Sequence, residues 1–260
     1  MVCRKLAVLF KIVPDPEGAF SIGADNALPG KDLPQVPSVF DENAMEAAVQ
    51  IKEANNCKIT VFCVGPVEAE PMLRRTLAMG ADEAVLIEND VTWDSLAAAR
   101  LLAAALRESG GFDVVLCGRE AADTGAGLVG PYVAQALGMS FLTLASEIKV
   151  EGTDLKVRRV CEGGYDVFIC RPPVLLTVTG EANRPRMPSV LKVLQAKKSP
   201  IKRLQMDWKT LPLLPGPAKA EVLSRSTPSM VGQCNFIDGG TAAEKAAGLL
   251  EALRAEGALS

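Results

Sequence analysis

Along the first half of the chain, short apolar runs alternate with stretches whose apolar residues recur every three or four positions. Lys5–Ile12 reads as a buried strand, and Asp41 is placed to cap a helix over Glu42–Asn55 with Ala44, Ala47, Ala48 and Ile51 on one face. Lys58–Val64 is the next expected strand, Glu68–Met79 the next helix, and Gly80 its stop. Ala84–Ile87 follows as a short strand. Asp94 then caps Ser95–Glu108, whose Leu96, Leu101, Leu102 and Leu106 suit a buried face. Asp113–Cys117 is again a strand, and Gly127–Leu137 a helix closed by Gly138. Strand–helix alternation with such short links predicts an α/β fold with a doubly wound, mostly parallel sheet.

After Met139 the pattern changes. Thr143–Val150, Leu155–Cys161, Tyr165–Cys170 and Val174–Thr179 read as strands without intervening helices, with turns at Glu151–Asp154 and Glu162–Gly164. They are expected to add an antiparallel layer to the same domain. From Gly180 the chain is punctuated by Pro185, Pro188, Pro200, Pro212, Pro215, Pro217 and Pro228. Such a stretch buries little by itself and is expected to wrap over another surface. Thr241, with Glu244 three residues on, opens a closing helix. The expected division is an α/β domain over 1–180, an extended C-terminal arm over 181–240 and a helix over 241–260.

Composition narrows the chemistry. The 260 residues include no histidine, which excludes Ser-His, Cys-His and His-metal chemistry by inspection. A bound cofactor or a partner is then the expected source of reactivity. The seven cysteines (Cys3, Cys57, Cys63, Cys117, Cys161, Cys170, Cys234) are scattered without a CxxC, which favours reduced, cytoplasmic thiols over staples or zinc. The net charge of −3 gives no general reason to expect nucleic acid or an anionic membrane. Met1–Phe10, broken by Lys11, does not read as a secretory leader, and no apolar stretch approaches the ~20 residues of a membrane helix. Trp93 and Trp208 read as packing aromatics, and the Glu162/Asp166 pair as a turn and a surface contact. The basic run Lys197, Lys198, Lys202 and Arg203 suits either a solvated linker or docking to an acidic partner.

The most suggestive segment runs from Cys117 to Pro131, with the sequence Cys-Gly-Arg-Glu-Ala-Ala-Asp-Thr-Gly-Ala-Gly-Leu-Val-Gly-Pro. It leaves a strand and opens a helix at the carboxyl edge of the expected sheet, where ligands bind in open α/β folds. Small residues let backbone N–H groups approach an anion, and the helix start adds partial positive charge. A glycine-rich turn shaped only for packing is the alternative. No Gly-Lys-Ser/Thr follows, so this is not a Walker loop, and the GxGxxG dinucleotide pattern is not met either.

This loop resembles the adenine-nucleotide loop of electron transfer flavoprotein beta subunits. Other blocks agree in order: Lys11–Asp15, Phe40–Ala47, Val64-Gly65-Pro66, Leu77–Asp82, Val157–Thr177, Asn183–Arg186 and Ala196–Ile201, spanning about residues 3–205. The resemblance implies a Rossmann-like nucleotide-binding fold. It also implies an alpha subunit that holds the redox-active FAD, while the beta subunit carries either structural AMP or a second FAD. In the branch with a second FAD, NADH is oxidised and its electrons are split between acceptors. Val129-Gly130-Pro131 resembles that electron-bifurcating branch. The cofactor-site residues so implied are Leu9, Lys11, Val13, Phe40, Asp41, Val64, Gly65, Cys117, Asp123, Thr124, Gly125, Ala126, Gly127, Leu128 and Val129. Phosphates are expected over Asp123–Val129, adenosine near Leu9 and Val64, and a flavin ring near Val13–Pro16 and Phe40–Asp41. Gly125, Ala126, Gly127 and Leu128 stand where the family usually has acidic and amide or hydroxyl side chains, so backbone N–H groups would have to compensate. Asp166 and Phe168 also depart from the usual residues. Asp166 is implied to touch the alpha subunit's mobile flavin domain. Val190 falls on the family's anchor for an acyl-CoA dehydrogenase-type partner, with Leu191, Val193 and Leu194 beside it. Two rival classes remain: a nucleotide-sensing module without redox role, and a small-molecule enzyme on the same sheet.

Overall fold

In a computed structural model the described residues are 5–18, 33–89, 94–207, 210–211, 223–224, 226 and 234–259. Cys3, Trp93, Trp208, Pro212, Pro215, Pro217 and Pro228 lie outside them. The chain divides into two compact units, Met1–Leu223 and Ser224–Ser260.

The first unit is built on strand β1 (Lys5–Leu9), whose residues from Leu6 onward are buried. Leu6 and Val8 face Ala44, Met45 and Ala48 of helix α1 (Val39–Asn55), while Ala7 and Leu9 belong to a second cluster on the other face. Burial on both faces is why β1 reads as a continuous apolar run rather than an alternating one. The expected strand over Lys5–Ile12 stops early. The Phe10 N–H still donates to the Phe62 carbonyl of the neighbouring strand at 2.9 Å, but the chain then leaves the ladder, and β2 (Ile12–Pro14) forms a separate antiparallel pair with β3 (Gln35–Pro37). The cause lies at Lys11, whose backbone N–H is taken by the Asp41 carboxylate at 2.9 Å instead of by a strand. Asp41 is therefore not the helix cap that was expected. Ser38 holds the cap position, and Asp41 sits within the first turn of α1 with its side chain turned inward.

From α1 the chain continues through β4 (Lys58–Gly65), α2 (Glu70–Met79), β5 (Glu83–Glu88), α3 (Ser95–Glu108), β6 (Val114–Gly118) and α4 (Val129–Leu137). The Asp94 carboxylate accepts hydrogen bonds from Leu96 and Ala97 N–H, as its sequence position predicts. Next come β7 (Ser140–Glu151), β8 (Asp154–Cys161), β9 (Gly164–Cys170), β10 (Val174–Val178), the short helix α5 (Val190–Ala196) and β11 (Lys202–Gln205). The nine-stranded sheet has the order β11-β5-β4-β1-β6-β10-β7-β8-β9. The sheet is parallel from β11 through β7, and β7–β8–β9 form an antiparallel meander that prolongs it at one edge. The fourth strand of the expected antiparallel set, β10, returns to lie parallel between β6 and β7, fully buried.

Strand succession runs outward from β1 through β4 to β5, then reverses to β6 on β1's other side. Outside the carboxyl ends of the strands, such a reversal opens a crevice that no crossover covers. The segment after 180 does not stay irregular: it contributes α5 and adds β11 to the sheet beside β5. In the second unit, α6 (Ala242–Ala255) starts with a capping box between Thr241 and Glu244.

Candidate functional site

At the reversal, a cleft of about 760 Å³, counting its open mouth, lies over the ends of β1, β4 and β6. Its apolar wall comes from Leu9, Val64 and Leu102, and its rim from Arg119–Ala121 and the stretch leading into α4.

Beneath the cleft, the first turn of α1 organises the strand ends. Asp41 Oδ1 accepts the Gly118 N–H at 2.7 Å and Oδ2 the Lys11 N–H at 2.9 Å, so one carboxylate ties the end of β6 to the exit of β1. Burial pushes the Asp41 carboxyl up to about 7, and its two N–H donors and the Lys11 ammonium only partly offset this. Gly118 can hold no side chain: a Cβ would stand 2.7 Å from the Phe40 carbonyl carbon. Ser38 Oγ accepts the Ala122 N–H at 3.2 Å, and Lys11 Nζ donates to both oxygens of Asp123 at 2.8–2.9 Å. Three residues on or just before α1 and β2, namely Asp41, Ser38 and Lys11, thus fix the course of the loop from 118 to 123. The Arg119 guanidinium lies 4.8 Å from the Phe40 ring centroid and pairs with Glu120.

The loop then turns through Gly125 (φ 58°) and Gly127 (φ 62°), both in the left-handed region that disfavours a branched side chain. The same conformation explains why α4 begins at Val129 and not at Gly127. Among the described residues no side chain caps this helix start, in contrast with α3, whose first N–H groups are taken by Asp94. An uncapped start leaves first-turn N–H groups for water or an anionic ligand. Gly130 brings α4 close to the sheet, since a Cβ there would meet Cys117 Sγ at 3.0 Å. Burial pushes the Cys63 thiol up to about 12 and the Cys117 thiol upward as well, so both stay protonated and inert.

Of the residues expected at a cofactor site, Leu9, Lys11, Asp41, Val64, Cys117, Thr124, Ala126, Gly127, Leu128 and Val129 line the cleft. Gly65 and Val13 are buried and do not line it, Phe40 lies under Arg119, Asp123 points back to Lys11, and Gly125 forms the outer bend of the loop. Gly118–Ala121 and Gly130, part of the segment read as the nucleotide loop but not named as site residues, also line it, and so do Phe10 and the α3 residues Ser95, Ala98 and Leu102, which the sequence did not point to. The only signal for the α3 group is that Asp94 starts a helix directly after a strand at the same sheet edge. Asp166 is exposed on the outermost strand β9, in register with Arg159. Val190, Leu191 and Leu194 stand on α5, 77%, 65% and 52% exposed. Among the described residues no cluster of three or more Cys, Asp or Glu side chains suits a metal ion, and no helix is long and apolar enough to cross a membrane.

The electron transfer flavoprotein domain family matches residues 31–207, which takes in α1, most of the cleft, α5 and β11. The chain belongs to the electron transfer flavoprotein beta subunits. It is 36% identical over 232 residues to the beta subunit of Thermoanaerobacterium thermosaccharolyticum, covering 86% of this chain and 88% of that one. Identity to the Clostridium acetobutylicum beta subunit is 34% over 240 residues, covering 90% and 92%. A third relative, subunit CarD of the caffeyl-CoA reductase–Etf complex of Acetobacterium woodii, is 36% identical over 200 residues, covering 76% of each chain. Electron transfer is therefore the process this beta subunit serves.

Proposed function

We propose that this beta subunit holds an adenine nucleotide, a second FAD, in the cleft at the sheet reversal. Paired with an alpha subunit carrying the redox-active FAD, it serves electron passage from NADH or an acyl-CoA dehydrogenase to acceptors by flavin-based bifurcation. The observation that carries the nucleotide reading is the uncapped start of α4, entered through two left-handed glycines and opening on a cleft with an apolar wall. The fit is chemical as well as spatial. Backbone N–H groups of 126–129 suit phosphates, and Leu9, Val64 and Leu102 suit an aromatic base. When bound, a flavin supplies one- and two-electron redox chemistry, whereas adenylate supplies none.

The chain's own residues then have separable roles. Asp41, Ser38 and Lys11 hold the loop, Gly125 and Gly127 give it its turn, and Leu102 and Leu128 supply apolar surface to the cleft. The exposed apolar residues of β9, Tyr165, Val167 and Ile169, suit a covering alpha subunit, with Asp166 on the strand's other exposed face available to a further contact. Val190, Leu191 and Leu194 suit docking of an acyl-CoA dehydrogenase-type partner. Names among the relatives, such as acryloyl-CoA reductase electron transfer subunit gamma of Anaerotignum propionicum, favour that partner class. Nucleotides released from the denatured heterodimer test the proposal. Two FAD per heterodimer, with bleaching by NADH, is the expected result. One FAD with one AMP would reject the second flavin, and FAD without a second nucleotide would reject the cleft reading.

A further inference from the structure

Helix α5 raises a physical question, because little that it buries explains why it stays in place. It is two turns long, and a helix of that length is not stable alone in water. Ala196 is its one buried residue, while Val190, Leu191, Val193 and Leu194 point their apolar surface outward.

Its C-terminal end is gathered instead by one side chain of α2. Arg74 Nη1 donates to the carbonyl oxygens of Ala196 and Lys197, each at 3.2 Å, and of Ser199. The other terminal nitrogen, Nη2, donates to Glu70, whose second oxygen accepts from Arg203 on β11. A guanidinium at the negative end of a helix is also favourable to its dipole. The N-terminal side of the segment is pinned in the same manner. Arg186 forks onto Glu46 and Glu53 of α1, and Asn183 exchanges side-chain and backbone hydrogen bonds with Asn43.

We infer that Arg74 is a positioning residue that holds α5 in a fixed pose, so that its outward apolar face meets the partner dehydrogenase already ordered. This rests on the docking role proposed for α5. Ordering the helix beforehand removes an entropic cost from association. Arginine is required for this because only a planar fork reaches carbonyls on one side and a carboxylate on the other, which an ammonium cannot do.

The test uses the intact heterodimer carrying Arg74→Lys, with Glu70→Gln as the second variant. In Arg74→Lys, hydrogen exchange over 190–197 is expected to accelerate on the order of tenfold. KM for the partner dehydrogenase should rise several-fold, while kcat, nucleotide content and heterodimer assembly remain those of the wild type. Glu70→Gln keeps the carbonyl contacts and should leave exchange in α5 near wild type. Unchanged exchange in Arg74→Lys would overturn the inference, as would equal loosening by both variants. Faster exchange with an unchanged KM would overturn the positioning-for-docking claim through its docking premise, while leaving Arg74 as the helix's anchor. Dissociation of the heterodimer would make Arg74 a structural residue and overturn it as well.

Discussion

The buried carboxylate of Asp41 offers a quantitative check on how the cleft is built. Its pKa stands at about 7 against an ordinary 3.8, with burial as the largest cause. Each unit corresponds to about 1.36 kcal/mol, so keeping Asp41 ionised in the folded chain costs roughly 4 kcal/mol relative to the unfolded one. The folded pKa is the higher, so its contribution to stability is fully present below pH 3.8 and is lost as pH rises through about 7. Between about pH 5.5 and 8 the loss amounts to roughly 2 kcal/mol, and most of it falls below pH 7. Glu70 and Glu147, held below the usual carboxylate range by Arg and Lys partners, act in the opposite sense but at more acid pH. Glu42, raised by burial, acts in the same sense and persists in an Asp41 variant, so the difference between variants isolates Asp41.

Urea unfolding of wild type and Asp41→Asn over that pH window measures the effect. The wild-type midpoint should fall by about 1 M from pH 5.5 to 8, given a denaturant slope of about 1–3 kcal/mol per molar. The Asn variant should lack that component of the slope. It should also bind nucleotide less tightly at every pH, because an amide oxygen can accept one of the two N–H groups while its own NH₂ opposes the other. Equal pH slopes in the two proteins would refute the assignment of a buried, strained ionisation to Asp41.

Gly127→Val and Gly118→Ala should both empty the nucleotide site, the first by forcing a branched residue into φ 62°, the second by a 2.7 Å clash with Phe40. Full nucleotide content in either purified heterodimer would count against the loop geometry proposed for binding. Val190→Asp should abolish transfer to the dehydrogenase with flavin content and heterodimer assembly intact, since burying one valine contributes roughly 1.5–3 kcal/mol. Dissociation of alpha from beta in that variant would reassign α5 to the subunit interface. Asp166→Ala, which removes one exposed charge worth at most ~1 kcal/mol, should alter transfer rate but not stability. Stopped-flow reduction and thermal unfolding distinguish these outcomes.

The parallel core was legible because local chemistry and tertiary placement agree there. Asp94 caps α3 where its position demands, and strands buried on both faces appear as apolar runs. Features that depend on distant residues left no local trace. The end of β1 is set by a carboxylate thirty residues downstream, and that carboxylate reads as a helix cap because Asp before a periodic stretch normally is one. Nothing within Val174–Val178 says that it inserts between β6 and β7 and does not extend the meander. The cleft was legible on the β1 and β6 sides, where the loop carries its own small-residue pattern. Its α3 wall was not, because Ser95, Ala98 and Leu102 belong to no motif and acquire a role only once β5 and β6 lie on opposite sides of β1.

The cleft and the arm are held by different physics, and the division matches the demands placed on each. At the cleft the fixing contacts run between a buried carboxylate and backbone N–H groups, or pack glycine against backbone, where neither salt nor water competes well. In the arm, Arg186 reaches the buried Glu46 as well as the exposed Glu53, and Arg203 reaches Glu70 and Glu88; apart from the Glu46 contact these pairs are at least partly open to solvent and individually weak. The proposed nucleotide, if it is to stay through many turnovers, needs a site that does not loosen. A surface that must engage and release a partner is better served by contacts whose strength water and ions can moderate.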